Sequence, residues 1–217
     1  MIAMILAAGR GERLRPLTET VPKALVEVRG RTLLERHLDN LRAAGIETVV
    51  INLGWLGDRI ADRVGSGAAY GLTVVYSPEG DDILETGGGI HRALPLLGRD
   101  PFLVVNADIY TDVPLPPAAL AHGDLGHLVL VPRPAHKARG DFDLRDGRVA
   151  DSDAPALTFS GVAVYRPEFF AGCKPGRFPL APMLRAAARG GQLAGSLYEG
   201  VWEDVGTPER LAELNRR

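Results

Sequence analysis

The first 25 residues, MIAMILAAGRGERLRPLTETVPKAL (Met1–Leu25), decide how the rest of the chain is read. Ile2 to Ala7 is a short apolar run that gives way at Gly9, the pattern of a parallel strand buried on both faces and emptying into a loop. That loop is built from Ala7, Ala8, Gly9 and Gly11. Such small residues let the backbone come close to a ligand and turn its N–H groups toward phosphate oxygens. Glu12 and Arg13 follow, and Arg13 adds a planar cationic fork. Lys23, directly after Pro22, adds a point charge. The segment is not a P-loop, because no Gly-Lys-Ser/Thr follows. It is not the dinucleotide fingerprint either, because Leu14 stands where the third glycine would be. The glycines alone fit a tight strand-to-helix turn equally well.

Outward from this segment, strand and helix patterns alternate. Leu33, Leu34, His37, Leu38 and Leu41 fall at helical spacing, with Gly45 as the stop. Thr48 to Ile51 is a β-branched strand. Leu56, Ile60 and Val64 mark a second helix ending at Gly65. Leu72 to Tyr76 is a third strand. A glycine-rich turn at Gly87 to Gly89, with Thr86 as cap, leads into a third helix through Ala93, Pro95 and Leu97. Phe102 to Asn106 is a fourth strand. The alternation predicts an α/β fold: a Rossmann-like three-layer sandwich with a mostly parallel central sheet and helices on both faces. Ligands of such sheets bind beyond the carboxyl ends of the strands. Gly9 and Asp108 both lie just past strand ends and are expected on one edge.

The second half is less regular. Leu128 to Val131, Leu157 to Tyr165 and Leu193 to Tyr198 read as strands. Phe142 to Leu144 and Arg148 to Ala150 flank Asp146-Gly147, which predicts a small β-hairpin annex. Ala181 to Arg189 and Pro208 to Asn215 read as helices. The Pro-rich stretch from Pro114 to Pro117 is too short to separate two domains, so residues 1–217 are expected to form one.

Composition narrows the classes. The chain has 217 residues, 46% hydrophobic and 24% charged, enough to bury a core without staples. A net charge of −2 gives no basic field for a nucleic-acid backbone. One cysteine, Cys173, cannot form an intramolecular disulfide and reads as a packing residue. No run approaches the roughly 18 apolar residues of a membrane span. The expectation is a cytoplasmic protein with no obligate protein partner. The five histidines are scattered without metal-ligand spacing, which argues against a metal hydrolase.

Two further motifs carry chemistry. Asn106-Ala107-Asp108 follows the fourth strand, where a carboxylate can hold Mg²⁺ beside phosphates. Trp202-Glu203-Asp204-Val205-Gly206-Thr207-Pro208 offers a second carboxylate. Together, Leu-Ala-Ala-Gly-x-Gly-x-Arg-Leu-x-Pro-Leu-Thr from Leu6, then Pro22-Lys23, resemble the signature of the sugar-1-phosphate nucleotidyltransferases. That resemblance implies a loop that wraps a triphosphate at Gly9, Gly11 and Arg13, a phosphate-contacting Lys23, and Mg²⁺ on Asp108 and Asp204. Here Lys23 is followed by Ala24 rather than the usual proline. Ala107 stands in the place of the usual glycine, which raises the question of its φ.

Leu84 to Gly89 lies where the family places its base-reading loop. By the same resemblance Ala7, Ala8, Glu12, Glu79, Leu84, Gly87 and Asn106 are expected at the nucleotide. Across nearly its whole length the chain is similar to one subgroup, the N-acetylmuramate-1-phosphate uridylyltransferases of cell-wall recycling. The stretches that carry this are Tyr76 to Gly80, Leu84 to Ile90, Arg139 to Phe142 and Leu157 to Gly161. They imply UTP and a sugar 1-phosphate as substrates, with Asp141, Thr158, Ser160 and Gly161 at the sugar. His136, Lys137 and Arg139 read either as a solvated loop or as a cluster facing an anionic substrate. The same chemistry on mannose 1-phosphate with GTP, or on glucose 1-phosphate with dTTP or UTP, fits the motifs as well. A catalytically silent nucleotide-binding module would lack part of the set Arg13, Lys23, Asp108 and Asp204.

Overall fold

The apolar run at the amino terminus forms β1 (Ala3–Leu6), whose side chains alternate between two cores. Ala3 and Ile5 enter one cluster and Met4 the other, all three without solvent exposure. The computed structural model describes residues 1–80, 83–115 and 119–216. After β1 come β2 (Glu27–Val28), β3 (Arg31–Thr32), α1 (Leu33–Ala43), β4 (Thr48–Leu53), α2 (Gly57–Val64), β5 (Thr73–Pro78), α3 (Glu85–Leu97), β6 (Phe102–Asn106) and β7 (Ile109–Thr111). The second half contributes β8 (Gly126–Pro132), β9 (Asp143–Arg145), β10 (Arg148–Ala150), β11 (Leu157–Tyr165), α4 (Ala181–Arg189), β12 (Leu193–Leu197), β13 (Trp202–Asp204) and α5 (Pro208–Arg216).

The central sheet has nine strands in the order β5-β4-β1-β6-β11-β8-β12-β10-β9. The α/β fold is as the alternation predicts, and the sheet is mixed. The pairings β5–β4, β4–β1, β1–β6 and β8–β12 are parallel. The pairings β6–β11, β11–β8, β12–β10 and β10–β9 are antiparallel. Parallel order is therefore concentrated where the strand–helix alternation is regular. The hairpin around Asp146-Gly147 is present, and through β12 it forms the far edge of the same sheet. Asp146 and Gly147 both take positive φ, as a tight two-residue turn requires.

Helices α1 and α2 pack Leu34, Leu38, Leu41, Ile60 and Val64 on one face; α3 and α4 pack Ile90, Ala93, Leu97 and Leu184 on the other. An 11-residue helix such as α1 is marginal alone, so this burial, roughly 2 kcal/mol per leucine, holds it. Its entry is fixed by a capping box in which Thr32 accepts from the Glu35 N–H at 3.1 Å and Glu35 accepts from the Thr32 N–H at 3.2 Å. Helix α5 packs Leu214 with Leu14, Val28, Leu33 and Val205 in a third, smaller cluster. Among the described residues no helix is long and apolar enough to cross a membrane. Pro116 and Pro117 of the Pro-rich stretch lie outside the described residues.

The expected glycine turn is not a turn. Gly87, Gly88 and Gly89 sit inside the first turns of α3, and Thr86 is already helical rather than a cap. The glycines serve close packing. A Cβ on Gly87 would meet the Phe178 ring at 2.5 Å, one on Gly88 would fall on the Gly176 carbonyl, and one on Gly89 would meet the Glu79 carboxylate at 2.5 Å. Two backbone bonds stitch the 176–178 segment to this helix start: Phe178 N–H to Leu84 O and Gly88 N–H to Phe178 O, both at 3.1 Å.

Replacing a helical glycine by alanine ordinarily stabilises by about 1 kcal/mol. At Gly88 the new methyl meets backbone that cannot swing away. Gly88→Ala is expected to destabilise by about 1–3 kcal/mol, read as a lowered urea midpoint; an unchanged or raised midpoint would contradict the packing.

Candidate functional site

Register brings the strand ends into line. Leu6 at the end of β1 lies opposite Asn52 of β4 and Asn106 of β6, and Leu53 lies opposite Pro78 of β5. Polar groups therefore gather at one carboxyl edge. The Ala7 N–H donates to Asn52 Oδ1 at 2.7 Å, and Asn52 Nδ2 donates to Glu79 Oε1 at 2.6 Å. The other Glu79 oxygen accepts from the Leu84 N–H at 2.8 Å. Asn52 and Glu79 are buried, so this chain of bonds fixes the loop after β1 against the start of α3.

Beyond Ala8 the chain leaves the sheet and turns at Gly11, whose φ of +63° is left-handed. A side chain there would also strike Thr18 Cγ2 at 2.9 Å and Lys23 Cβ at 3.1 Å, so both the conformation and the space require glycine. Thr18, fully buried, donates its hydroxyl to Gly11 O at 2.7 Å. The Thr18–Lys23 segment is thereby folded back under the loop, and Lys23 Nζ reaches the Asp108 carboxylate in an ion pair. Its side chains are 13% and 33% exposed, so the attraction is less screened than at the open surface. Ala107 needs no left-handed backbone, since it is not among the residues with positive φ.

Asp204 arrives by a pairing that the sequence did not suggest. Strand β13 runs antiparallel to β7 with Asp204 opposite Ile109, and the Val205 N–H donates to Asp108 O at 2.9 Å. The two aspartates are thus neighbours across 96 residues of chain. Asp204 Oδ1 is held by Arg210 Nη1 from the start of α5 and lies 3.2 Å from His136 Nε2. Of the basic cluster before the hairpin, His136 alone turns this way. Lys137 pairs with Asp141 at 3.0 Å, and Arg139 donates to Ser152 O at 3.2 Å.

Two adjoining hollows open at this edge, with Gly9, Lys23, Ile83 and Asp108 in both walls. The smaller one adds Ala7, Ala8, Asn52, Glu79, Thr86 and Asn106. The wider one adds Gly11, Glu12, Leu84, and the cations Arg10, Arg13 and Arg177. Gly87 is in neither wall, being packed on Phe178. Asp141, Thr158, Ser160 and Gly161 are in neither wall, although Gly161 abuts Asn106: a Cβ on it would meet Asn106 Nδ2 at 2.7 Å. Thr158 is fully buried with its hydroxyl unpaired, and Ser160 Oγ accepts from the Val162 N–H at 3.1 Å. Trp202 Nε1 donates to Ser160 O at 2.8 Å and so ties β11, where its register against β8 shifts between Phe159 and Ala163, to β13. Sequence reading passed over Asn52, Arg10, Arg177 and Arg210. Asn52 was the most legible of them, as a polar residue set between the apolar Ile51 and Leu53 near the strand end.

Could these residues hold a magnesium ion? Among the described residues no group of three or more His, Cys, Asp or Glu side chains converges as a metal cage. Magnesium asks for less, since it is commonly held by one or two carboxylates together with phosphate oxygens and water. Asp108 and Asp204 supply two hard oxygen donors from bonded neighbouring backbone, each balanced by a side-chain cation. That donor set fits.

The amino-terminal residues 3–140 match the family model described as the MobA-like NTP transferase domain, and the chain belongs to that family of nucleotidyltransferases. Its curated relatives include the N-acetylmuramate alpha-1-phosphate uridylyltransferase of Neisseria meningitidis serogroup B, 49% identical over 98% of this chain and 96% of that protein. The enzyme of the same name from Caulobacter vibrioides is 38% identical over 98% and 97%. In fold, a Bacillus anthracis crystal structure in complex with a sucrose superposes with a TM-score of 0.82 at 18% identity, over 100% of this chain and 94% of that one.

Behind Asp108 lies His37 of α1, 4% exposed and with Nε2 unpaired. Burial pushes its pKa down to about 4, against a partial upward pull from Asp108 and the Ile109 backbone. The folded protein therefore holds His37 neutral. Its contribution is fully present above about pH 6.5 and is lost as pH falls toward 4, because the unfolded chain takes up the proton first. Wild-type stability is expected to fall by about 2 kcal/mol between pH 7 and pH 5 from this residue. His37→Leu should flatten that slope in urea titrations; an identical slope would show that His37 is not held neutral.

Proposed function

We propose that the chain transfers the uridylyl group of UTP to N-acetyl-α-muramate 1-phosphate, giving UDP-N-acetylmuramate and pyrophosphate, as a step in recycling cell-wall peptidoglycan. The observation that carries the chemistry is the meeting of a small-residue loop, Lys23 and Asp108 at one sheet edge. The substrate pair is supported by the near full-length match to proteins bearing that activity in their names.

In this reading the triphosphate lies along the loop from Ala7 to Glu12. Backbone N–H groups and Arg13 meet its oxygens, and Lys23 moves from Asp108 to phosphate. The uracil enters the smaller hollow beside Glu79 and Asn106, with Leu84 at the junction with the wider one and Gly87 letting α3 pack closely behind. The sugar lies on the β11 side of Asp108. There, outside the two hollows, Asp141 and Gly161 face the sugar, and the buried Thr158 and Ser160 support that surface from behind. Mg²⁺ would be held by Asp108 and Asp204 and would supply neutralisation of phosphate charge. The sugar phosphate oxygen attacks the α-phosphorus in line. The bond from that phosphorus to the bridging oxygen breaks, and pyrophosphate leaves with the electron pair. No protein nucleophile is needed, so the residues contribute by positioning and by complementing charge.

Incubation with UTP and N-acetyl-α-muramate 1-phosphate is expected to yield UDP-N-acetylmuramate and pyrophosphate in equal amounts. Faster turnover with mannose 1-phosphate and GTP, or glucose 1-phosphate and dTTP, would replace the substrate assignment and keep the chemistry. Asp108→Asn and Asp204→Asn should each lower pyrophosphate release by roughly a hundredfold or more while circular dichroism stays native. Near-normal turnover in either would remove that aspartate from the metal site.

A further inference from the structure

The segment between β4 and α2, Gly54-Trp55-Leu56, lies outside every motif that carries the proposed chemistry, yet it grips the phosphate-facing loop at three points. The Trp55 N–H donates to Ala8 O at 3.2 Å. The indole Nε1–H donates to Thr18 O at 2.9 Å, on the returning arm of the loop. The Arg10 guanidinium lies 5.5 Å above the indole ring centroid. Gly54 makes the approach possible, because a Cβ there would stand 2.6 Å from Ala8 O. Trp55 thus holds the outgoing strand of the loop, its return and the one arginine at its tip. Ring and guanidinium face each other at the separation where the ring quadrupole attracts a cation.

Arg10 is exposed and stands in the wall of the wider hollow beside Arg13, Lys23 and Arg177. A free arginine on a loop of glycines would spread over many rotamers. Held on the indole, it keeps its charge at that wall with much of the ordering already done, so less is lost when an anion binds. The geometry points to Trp55 as a positioning residue and to Arg10 as a further polyphosphate-binding residue, carried on the Trp55 ring toward the β- and γ-phosphates. This rests on the reading that the hollow takes a nucleoside triphosphate. It adds a cation to the loop that the motif residues Arg13 and Lys23 do not account for.

The test is a double-mutant cycle on the full-length enzyme with Arg10→Ala, Trp55→Ala and the pair, plus Trp55→Phe. The readouts are KM and kcat for UTP and the affinity for inorganic tripolyphosphate by calorimetry. Arg10→Ala should raise KM and weaken tripolyphosphate binding about fivefold, with kcat within about twofold of wild type, the size of one cation–π-held contact. Adding Arg10→Ala to Trp55→Ala should cost little more than Trp55→Ala alone, because the arginine acts through the ring. Trp55→Phe keeps a ring face but no N–H donor and should fall between wild type and Trp55→Ala. If Trp55→Ala fails to fold, Arg10→Ala and Trp55→Phe still decide. Wild-type binding in Arg10→Ala, or full additivity in the cycle, overturns the proposal while leaving the triphosphate reading intact. A wild-type enzyme that binds neither UTP nor tripolyphosphate overturns that reading and this one with it.

Discussion

The register of β1 against β6 is the constraint on which the site depends. Leu6 opposite Asn106 means that the loop after one strand and Asp108 after the other leave the sheet side by side. Everything else is arranged to use that adjacency. Gly11 turns the loop so that the chain can double back, Thr18 pins the return, and Lys23 closes the gap by pairing with Asp108. A slip by one residue would exchange the two cores of β1 and carry the loop away from the carboxylate. The alternation of Ala3 and Ile5 with Met4 between two apolar clusters makes such a slip costly, so the core fixes the site geometry.

Much of this was legible because it rests on local patterns. The apolar run into a small-residue loop, the strand–helix alternation and the Asp146-Gly147 turn each follow from short-range chemistry, and each is found in place. The expectation that Gly9 and Asp108 share an edge follows from parallel order alone. What could not be read was long-range. The β7–β13 pair is only three residues on each side, too short for a strand pattern, yet it is what carries Asp204 to Asp108. The α3 glycines read as a turn because glycine is a poor helix former. Only the Phe178 and Gly176 contacts, some 90 residues away in sequence, show why the helix keeps them. Arg210 carries no motif and becomes visible only once Asp204 is placed, and that placement also gives His136 of the basic cluster its partner.

The carboxylates are not bare. Lys23 occupies Asp108, and Arg210 with His136 occupies Asp204. On the proposed reading, phosphate oxygens would offer Lys23 and Arg210 a stronger partner, leaving Asp108 and Asp204 to hold Mg²⁺. Binding then exchanges ion pairs rather than exposing unpaired charge, which keeps the cost of assembling so many charges low. The buried, neutral His37 fits the same economy of charge, since it fills the space behind Asp108 without adding a further cation.

The central claim is that the proposed transfer is a single displacement on positioned phosphates, with no protein-bound intermediate. The walls of the two hollows contain no serine, cysteine or histidine among the described residues, and Lys23 is engaged with Asp108. The most direct measurement is the stereochemical course of uridylyl transfer from one diastereomer of uridine 5′-(α-thio)triphosphate to N-acetyl-α-muramate 1-phosphate. One in-line displacement predicts inverted configuration at the α-phosphorus of the product. Retained configuration would mean two displacements through a covalent intermediate and would contradict the account.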